Sequence, residues 1–347
     1  MVGLTAPELT QEEQAIIQDY PFGGFILFGH NCAEPLQILT LCGALWKTGK
    51  KIPPFIAIDE EGGRVHRLPE PFTHFPAARL IGRAHDPDLA YQAGRATAIE
   101  LALVGINLNF GPVLDVNSNP RNPVIGDRSF GSEPREVITA SGPWTQGLRD
   151  GGIIPCGKHF PGHGDTGTDS HVDLPVVKKP LAELETVELP PFVNACRQRI
   201  ESLMTAHVVY PSVDAKLPAT LSYPIIDGLL RSHLGYRRLV FGDDMEMKAI
   251  TDHYEADEVP LLSVGAGVDV LLYGHELSKA VHAFEVLYLA AERDNAIRDQ
   301  VEASYRRIEK LKRRFLKSFT GVAARELTKK LSRLEHQRIV DKIHGSL

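Results

Sequence analysis

Short apolar runs alternate with longer segments of helical periodicity along most of this 347-residue chain. The runs occupy residues 24–28, 55–58, 106–110, 153–156, 203–206, 239–241 and 268–272, and residues 1–4 can add one more short strand. Helical patterns lie between them, near 11–19, 34–48, 87–104, 134–149, 181–198, 222–234, 257–265 and 276–292. The first begins with Thr10 followed three residues later by Glu13, the pattern of a capping box. Repeated strand–helix units pair their strands in parallel through right-handed crossovers. Eight such units close a (β/α)8 TIM barrel, which takes about 250 residues and leaves this chain room for loops and a tail. The expected fold is therefore α/β: a barrel over residues 1–294 as a single domain, with a C-terminal helical extension over 295–347. A doubly wound open sheet is the alternative.

From residue 301 to 319 a long helix is expected, with Val301, Tyr305, Ile308, Leu311 and Phe315 at helical spacing. Arg306, Arg307, Lys310, Lys312, Arg313, Arg314 and Lys317 fall on its other faces, which reads as a solvated surface packed on the barrel rather than a patch for an anionic partner. A further helix is expected near 324–343. The net charge of −6 gives the chain no overall field favouring nucleic acid or an anionic membrane. No apolar run approaches the roughly 20 residues that span a bilayer. The N-terminus shows no basic stretch leading into an apolar one, so a cytoplasmic protein is expected. Cys32, Cys42, Cys156 and Cys196 form no CxxC pair and read as reduced core thiols.

Polar residues follow the apolar runs closely. Asp59 follows the second, Asp115 and Asn117 the third, Lys158 and His159 the fourth, His207 the fifth, and Asp243 and Asp244 the sixth. In a barrel, functional groups gather at the C-terminal ends of several strands, so five segments obeying this rule point to one site. Residues 158–175, Lys-His-Phe-Pro-Gly-His-Gly-Asp-Thr-Gly-Thr-Asp-Ser-His-Val-Asp-Leu-Pro, are too polar and turn-rich to form a core and suit ligand contact. Asp169, two residues before His171, can fix the imidazole tautomer and raise its basicity, giving a proton donor and acceptor near neutral pH. The same pair can instead stiffen the loop. Asp243 and Asp244 can supply a nucleophile or a metal ligand, or cap a helix from Met245 onward. Gly62-Gly63 allows a sharp turn that brings Asp59 and an arginine to one cavity, and Arg128 is a further loop arginine. His159, His163, His171 and Asp165 could bind zinc, but their spacing matches no helical pair, no cysteine joins them, and Lys158 would repel a cation. No metal or cofactor is expected.

These motifs resemble a known family. Residues 158–171 are similar to the signature loop of the bacterial β-N-acetylglucosaminidases of glycoside hydrolase family 3. So are residues 58–67 (Ile-Asp-Glu-Glu-Gly-Gly-Arg-Val-His-Arg), 107–115, 125–130, 203–207 and 241–247, in the same order, so the resemblance spans about residues 1–275. It implies a (β/α)8 barrel and an exo-acting retaining hydrolase of terminal β-linked N-acetylglucosamine. Asp243 would be the nucleophile, His171 the general acid/base and Asp169 its partner. Asp59, Arg67, Arg128, Lys158 and His159 would hold the sugar. The family's role implies a carbohydrate partner, muropeptides of cell-wall recycling, acted on by a cytoplasmic monomer. Asp173 departs from the family pattern by placing an extra acid after the Asp-Ser-His motif. A non-catalytic sugar-binding barrel, or a β-glycosidase or phosphorylase of other specificity, is the alternative. A binding barrel would lack the nucleophile or the Asp–His pair, and both are present.

Overall fold

The computed structural model describes every residue except Lys50, His171, Val172, Ser332 and Leu347. Eight parallel strands form the central sheet: β1 (Val2–Gly3), β2 (Gly24–Leu27), β3 (Phe55–Ile58), β4 (Leu108–Asn109), β5 (Ile154–Phe160), β6 (Ser202–Thr205), β9 (Leu239–Asp244) and β10 (Val270–Leu272). Tyr273 donates to the Met1 carbonyl and accepts from Gly3, which joins the last strand to the first and closes the barrel. A small antiparallel ribbon, β7 (Val209–Tyr210) with β8 (Asp214–Pro218), interrupts the sixth unit and was not foreseen.

The strands read as continuous apolar runs because both their faces are covered. Alternate residues divide between two cores. Ile26, Phe55, Ala57, Phe110, Met204 and Phe241 fill the barrel interior. Phe25, Leu27, Ile56 and Ile58 face the surrounding helices. The Phe241 ring meets Phe55 and Phe110 edge-on, at centroid distances of 6.0 and 5.4 Å. Such contacts make the barrel a packed body rather than a pore.

The first helix, Gln11–Asp19, carries the expected capping box from Thr10 and Glu13. The pattern at 181–198 splits into Leu181–Leu184 and Pro190–Arg197, since Pro190 and Pro191 can start a helix but not continue one. Near the C-terminus the long helix runs over Asn295–Phe315, beginning where the Asp294 side chain caps Ala296 N–H, earlier than its apolar spacing indicates. Two helices, Ala324–Leu331 and Leu334–Gly345, replace the single one expected. The basic face of the long helix is less solvated than its pattern suggests. Arg307 reaches the buried Asp269 at 2.7 Å. Lys312 donates to the Gly23 carbonyl and lies over the Phe55 ring. Leu311 and Leu316 join the barrel-interior core, so this helix covers the N-terminal end of the strands. None of the described helices is long and apolar enough to cross a membrane.

Candidate active site

A cavity of about 480 Å³ opens at the C-terminal ends of the strands. Asp59, Arg67, Arg128, Lys158, His159, Asp169 and Asp243 all line it. Those seven candidates come from four separate stretches of sequence and meet in one place. The eighth, His171, lies outside the described residues.

The turn after β3 brings in the first group. Gly62 and Gly63 have φ of +84° and +55°, and a Cβ on either would lie 2.7 Å from Pro76 O or from the Ala77 Cβ. Only glycine suits that pair of positions. The turn closes with Glu61 N–H donating to Val65 O and Val65 N–H donating to Gly62 O. Glu60 accepts from Arg67 N–H at 3.0 Å and pairs with His66 Nδ1 at 2.6 Å, which sets the backbone that carries Arg67. The Arg67 Nε is buried without a hydrogen-bond partner among the described residues.

Lys158, at the end of β5, donates to Asp59 Oδ1 at 2.5 Å and pairs with Glu61 Oε1 at 2.6 Å. Glu61 also accepts both arms of Arg128, at 2.8 Å each. Burial alone would raise the Glu61 pKa, but Arg128 and Lys158 outweigh it and hold the carboxyl well below its ordinary range. Two acids and two bases thus form one ionised network under the cavity. Glu61 is its hub, a role the sequence reading missed because Asp59-Glu60-Glu61 offers three acids with nothing to rank them.

Asp115 is the second anchor that went unassigned. It is fully buried and accepts His159 Nδ1–H at 2.7 Å, His159 N–H at 3.2 Å and His163 N–H at 2.6 Å. Burial again opposes ionisation, and His159 and His163 reverse it, so the Asp115 pKa lies below the usual value. The carboxylate therefore fixes the orientation of the His159 ring at the cavity wall.

The loop beyond β5 is built on contacts rather than on freedom. Gly162 has φ +138°, and a Cβ on Gly164 would lie 1.6 Å from Val116 O, so these glycines serve a tight turn and a close approach. Gly167 alone of the three has open space around it. Both ring nitrogens of His163 are engaged, Nδ1 with Thr166 Oγ1 and Nε2 with Ser170 Oγ, which removes it from the zinc reading. Burial, then the neighbouring His159, push the His163 pKa down to about 4. Ser170 O accepts Ala249 N–H at 3.2 Å, docking the loop on the segment that follows β9. Asp173 N–H donates to Asp169 O, and the extra acid itself pairs with His253 at 2.9 Å.

Asp243 and Asp244 end β9, side by side and different in character. Asp243 Oδ1 accepts Asp244 N–H at 2.8 Å. Burial would raise the Asp243 pKa, but His207, His159, that N–H and Lys158 together hold it below the ordinary value. Asp244 is pushed up to about 6, chiefly by burial and by Glu246 and Asp243. Neither caps a helix: the next helix starts at Lys248, with Met247 in the capping position. Asp244 Oδ1 accepts instead from Glu246 N–H and Gly274 N–H.

A scan against family models matches residues 1–311 to the glycosyl hydrolase family 3 N-terminal domain. The chain belongs to glycosyl hydrolase family 3. The curated beta-hexosaminidase of Neisseria meningitidis serogroup B is 40% identical to this hydrolase over 279 residues, covering 78% of the chain and 76% of the relative. That of Alkalilimnicola ehrlichii is 38% identical over 278 residues, covering 78% and 79%. Among solved structures, NagZ from Neisseria gonorrhoeae in complex with N-trifluoroacetyl-D-glucosamine superposes with a TM-score of 0.80 at 31% identity, over 100% of this chain and 97% of that one. A β-N-acetylglucosaminidase from Paenibacillus sp. FPU-7 superposes with a TM-score of 0.88 at 37% identity, over 99% of this chain and 66% of that one.

Asp244 gives this family 3 hydrolase a stability signature. A carboxyl whose folded pKa is raised contributes stability below its unfolded pKa near 4, and that contribution is lost as pH rises through about 6. Asn at this position keeps the Oδ1 acceptor and carries no charge. Asp244→Asn is therefore expected to stabilise the fold at pH 8 by about 2 kcal/mol and to be near neutral at pH 4. Urea unfolding at the two pH values measures this, and an equal effect at both would remove the burial explanation.

Proposed function

We propose that this chain is an exo-acting retaining β-N-acetylglucosaminidase that removes terminal β-linked N-acetylglucosamine by double displacement. One observation carries the reading: an ionised Asp243 facing a cavity whose other walls are Asp59, Arg67, Arg128, Lys158 and His159. Retaining hydrolysis needs a nucleophile and a separate acid that later acts as base. Asp243 attacks the anomeric carbon while His171, oriented by Asp169, protonates the departing oxygen. The glycosyl ester on Asp243 is then released by water that His171 deprotonates. Asp59 and the Lys158 ammonium suit sugar hydroxyls, and the arginine forks and His159 suit the remaining hydroxyls and the amide carbonyl.

The relatives named beta-hexosaminidase and the neighbour holding an N-acylated glucosamine support this sugar class. In this reading residues 1–294 are the catalytic barrel and 295–347 a helical extension packed on it. The natural substrate is a muropeptide met in the cytoplasm by a monomer. Incubation with 4-nitrophenyl N-acetyl-β-glucosaminide, followed by proton NMR, is expected to show 4-nitrophenol and the β-anomer as first products. First appearance of the α-anomer would exclude double displacement, and binding of the sugar with no turnover would favour a non-catalytic barrel.

A further inference from the structure

His207 belongs to the strand-end residues that converge on the cavity, yet it does not line it. It is fully buried one strand away from Asp243. Backbone pairing between β6 and β9 ends at Met204 and Phe241. Three residues further along both chains, the His207 side chain continues the link in register: Nε2 lies 2.9 Å from the Asp244 carbonyl oxygen. A carbonyl only accepts, so Nε2 carries the proton. On its other side Nδ1 lies 2.8 Å from Thr220 Oγ1. Thr220 is itself held by Thr205 Oγ1 at 2.8 Å and by Ala206 O at 3.1 Å, all within the buried core. The ring thus has one orientation, with the tautomer set from the carbonyl side.

What the imidazole grips is the residue that grips the nucleophile. Asp244 gives its carbonyl to His207 and its N–H to Asp243 Oδ1. We propose that His207 is a positioning residue for the reaction: through Asp244 it fixes the backbone on which the Asp243 carboxylate is aimed. The proposal rests on the nucleophile reading of Asp243. Asp244 is also held through its carboxylate by Glu246 and Gly274, so loss of His207 loosens the strand end without releasing it altogether. A nucleophile displaced by about 1 Å costs on the order of 10²-fold in rate.

The test compares His207→Ala with His207→Gln, whose amide nitrogen can reach the same carbonyl. Both are assayed for kcat/KM on the phenyl and the 2,4-dinitrophenyl N-acetyl-β-glucosaminides. The alanine variant is expected to lose about 10²-fold on both substrates alike, because aiming the nucleophile matters whatever the leaving group. The glutamine variant is expected to recover at least tenfold of that loss. An alanine variant keeping half its activity, a loss confined to the phenyl substrate, or glutamine no better than alanine at equal melting temperature would each overturn the proposal. Should His207→Ala not fold, Thr220→Val decides: it removes the hydroxyl orienting the ring and is expected to lose about tenfold, restored by Thr220→Ser. No loss in Thr220→Val overturns the assignment. Asp243→Asn, run beside them, separates the two claims. If it stays active, the nucleophile reading and this proposal fall together; if it is dead while the His207 variants are active, only this proposal falls.

Discussion

Asp243→Asn is expected to lower kcat/KM for 4-nitrophenyl N-acetyl-β-glucosaminide by about 10⁴-fold while leaving the fold intact. The amide is nearly isosteric, and its oxygen can still accept the Asp244 N–H that now meets Asp243 Oδ1. What it loses is the negative charge and the ability to form a glycosyl ester. That charge is maintained against burial by His207, His159, the Asp244 N–H and Lys158, so the site is arranged to keep this one carboxylate ionised. At the neighbouring Asp244, burial with Glu246 and Asp243 outweighs the two N–H bonds it accepts and pushes it up to about 6. A second arm uses Asp243→Gly with added azide, which should restore turnover and yield the α-glycosyl azide, since the small anion enters from the face the carboxylate vacated. Retention of most activity in the asparagine variant would sink the nucleophile assignment. Rescue that yields the β-azide would place the nucleophile elsewhere.

The second large effect concerns the proton. His171→Ala is expected to reduce kcat/KM for a poor leaving group, such as the phenyl glycoside, by about 10²–10⁴-fold. For the 2,4-dinitrophenyl glycoside, whose leaving group departs without protonation, the loss in kcat/KM should be only a few-fold. Its kcat should still fall, because the same residue activates water in the second step. Asp169→Asn should move both constants in the same direction by less, since it removes the partner and not the acid. Asp169 lines the cavity, and the adjoining Ser170 is docked on Ala249 just beyond the nucleophile strand, so the loop meets the site from the Asp243 side. Equal losses on both substrates would count against an acid role and favour a loop pair that only stiffens the turn.

Much of this site is legible before any folding. The strand–helix alternation is written in the apolar runs, because a parallel strand covered on both faces must be apolar throughout. The convergence of Asp59, Lys158, His159 and Asp243 follows from a single rule about strand ends. Glu61 escapes that rule, and Asp115 obeys it without receiving a role from it. Each is an acid among other polar residues, and what sets them apart is burial against particular partners: Arg128 and Lys158 for Glu61, and His159 and the His163 N–H for Asp115. The glycines of the 158–175 loop are ambiguous in sequence for a related reason. Composition cannot distinguish a hinge from a close approach, and Gly164 is the latter because Val116 O lies where a side chain would go. Arg307 and Lys312 sit on what reads as a solvated helix face, yet Asp269 and the Gly23 carbonyl draw them inward.

Sequence by itself determined which residue types arrive at the C-terminal rim and in what order, since continuous apolar runs and period-3.6 patterns are local and the loop chemistry follows the strands. Tertiary structure decided which acids are ionised, which histidine holds a neighbour rather than a ligand, and which cations pair. Those properties depend on burial and on partners up to about a hundred residues away, as Lys158 and Asp59 are. Electrostatic energies in a buried site are set by distances of a few ångströms, and no spacing along the chain encodes them.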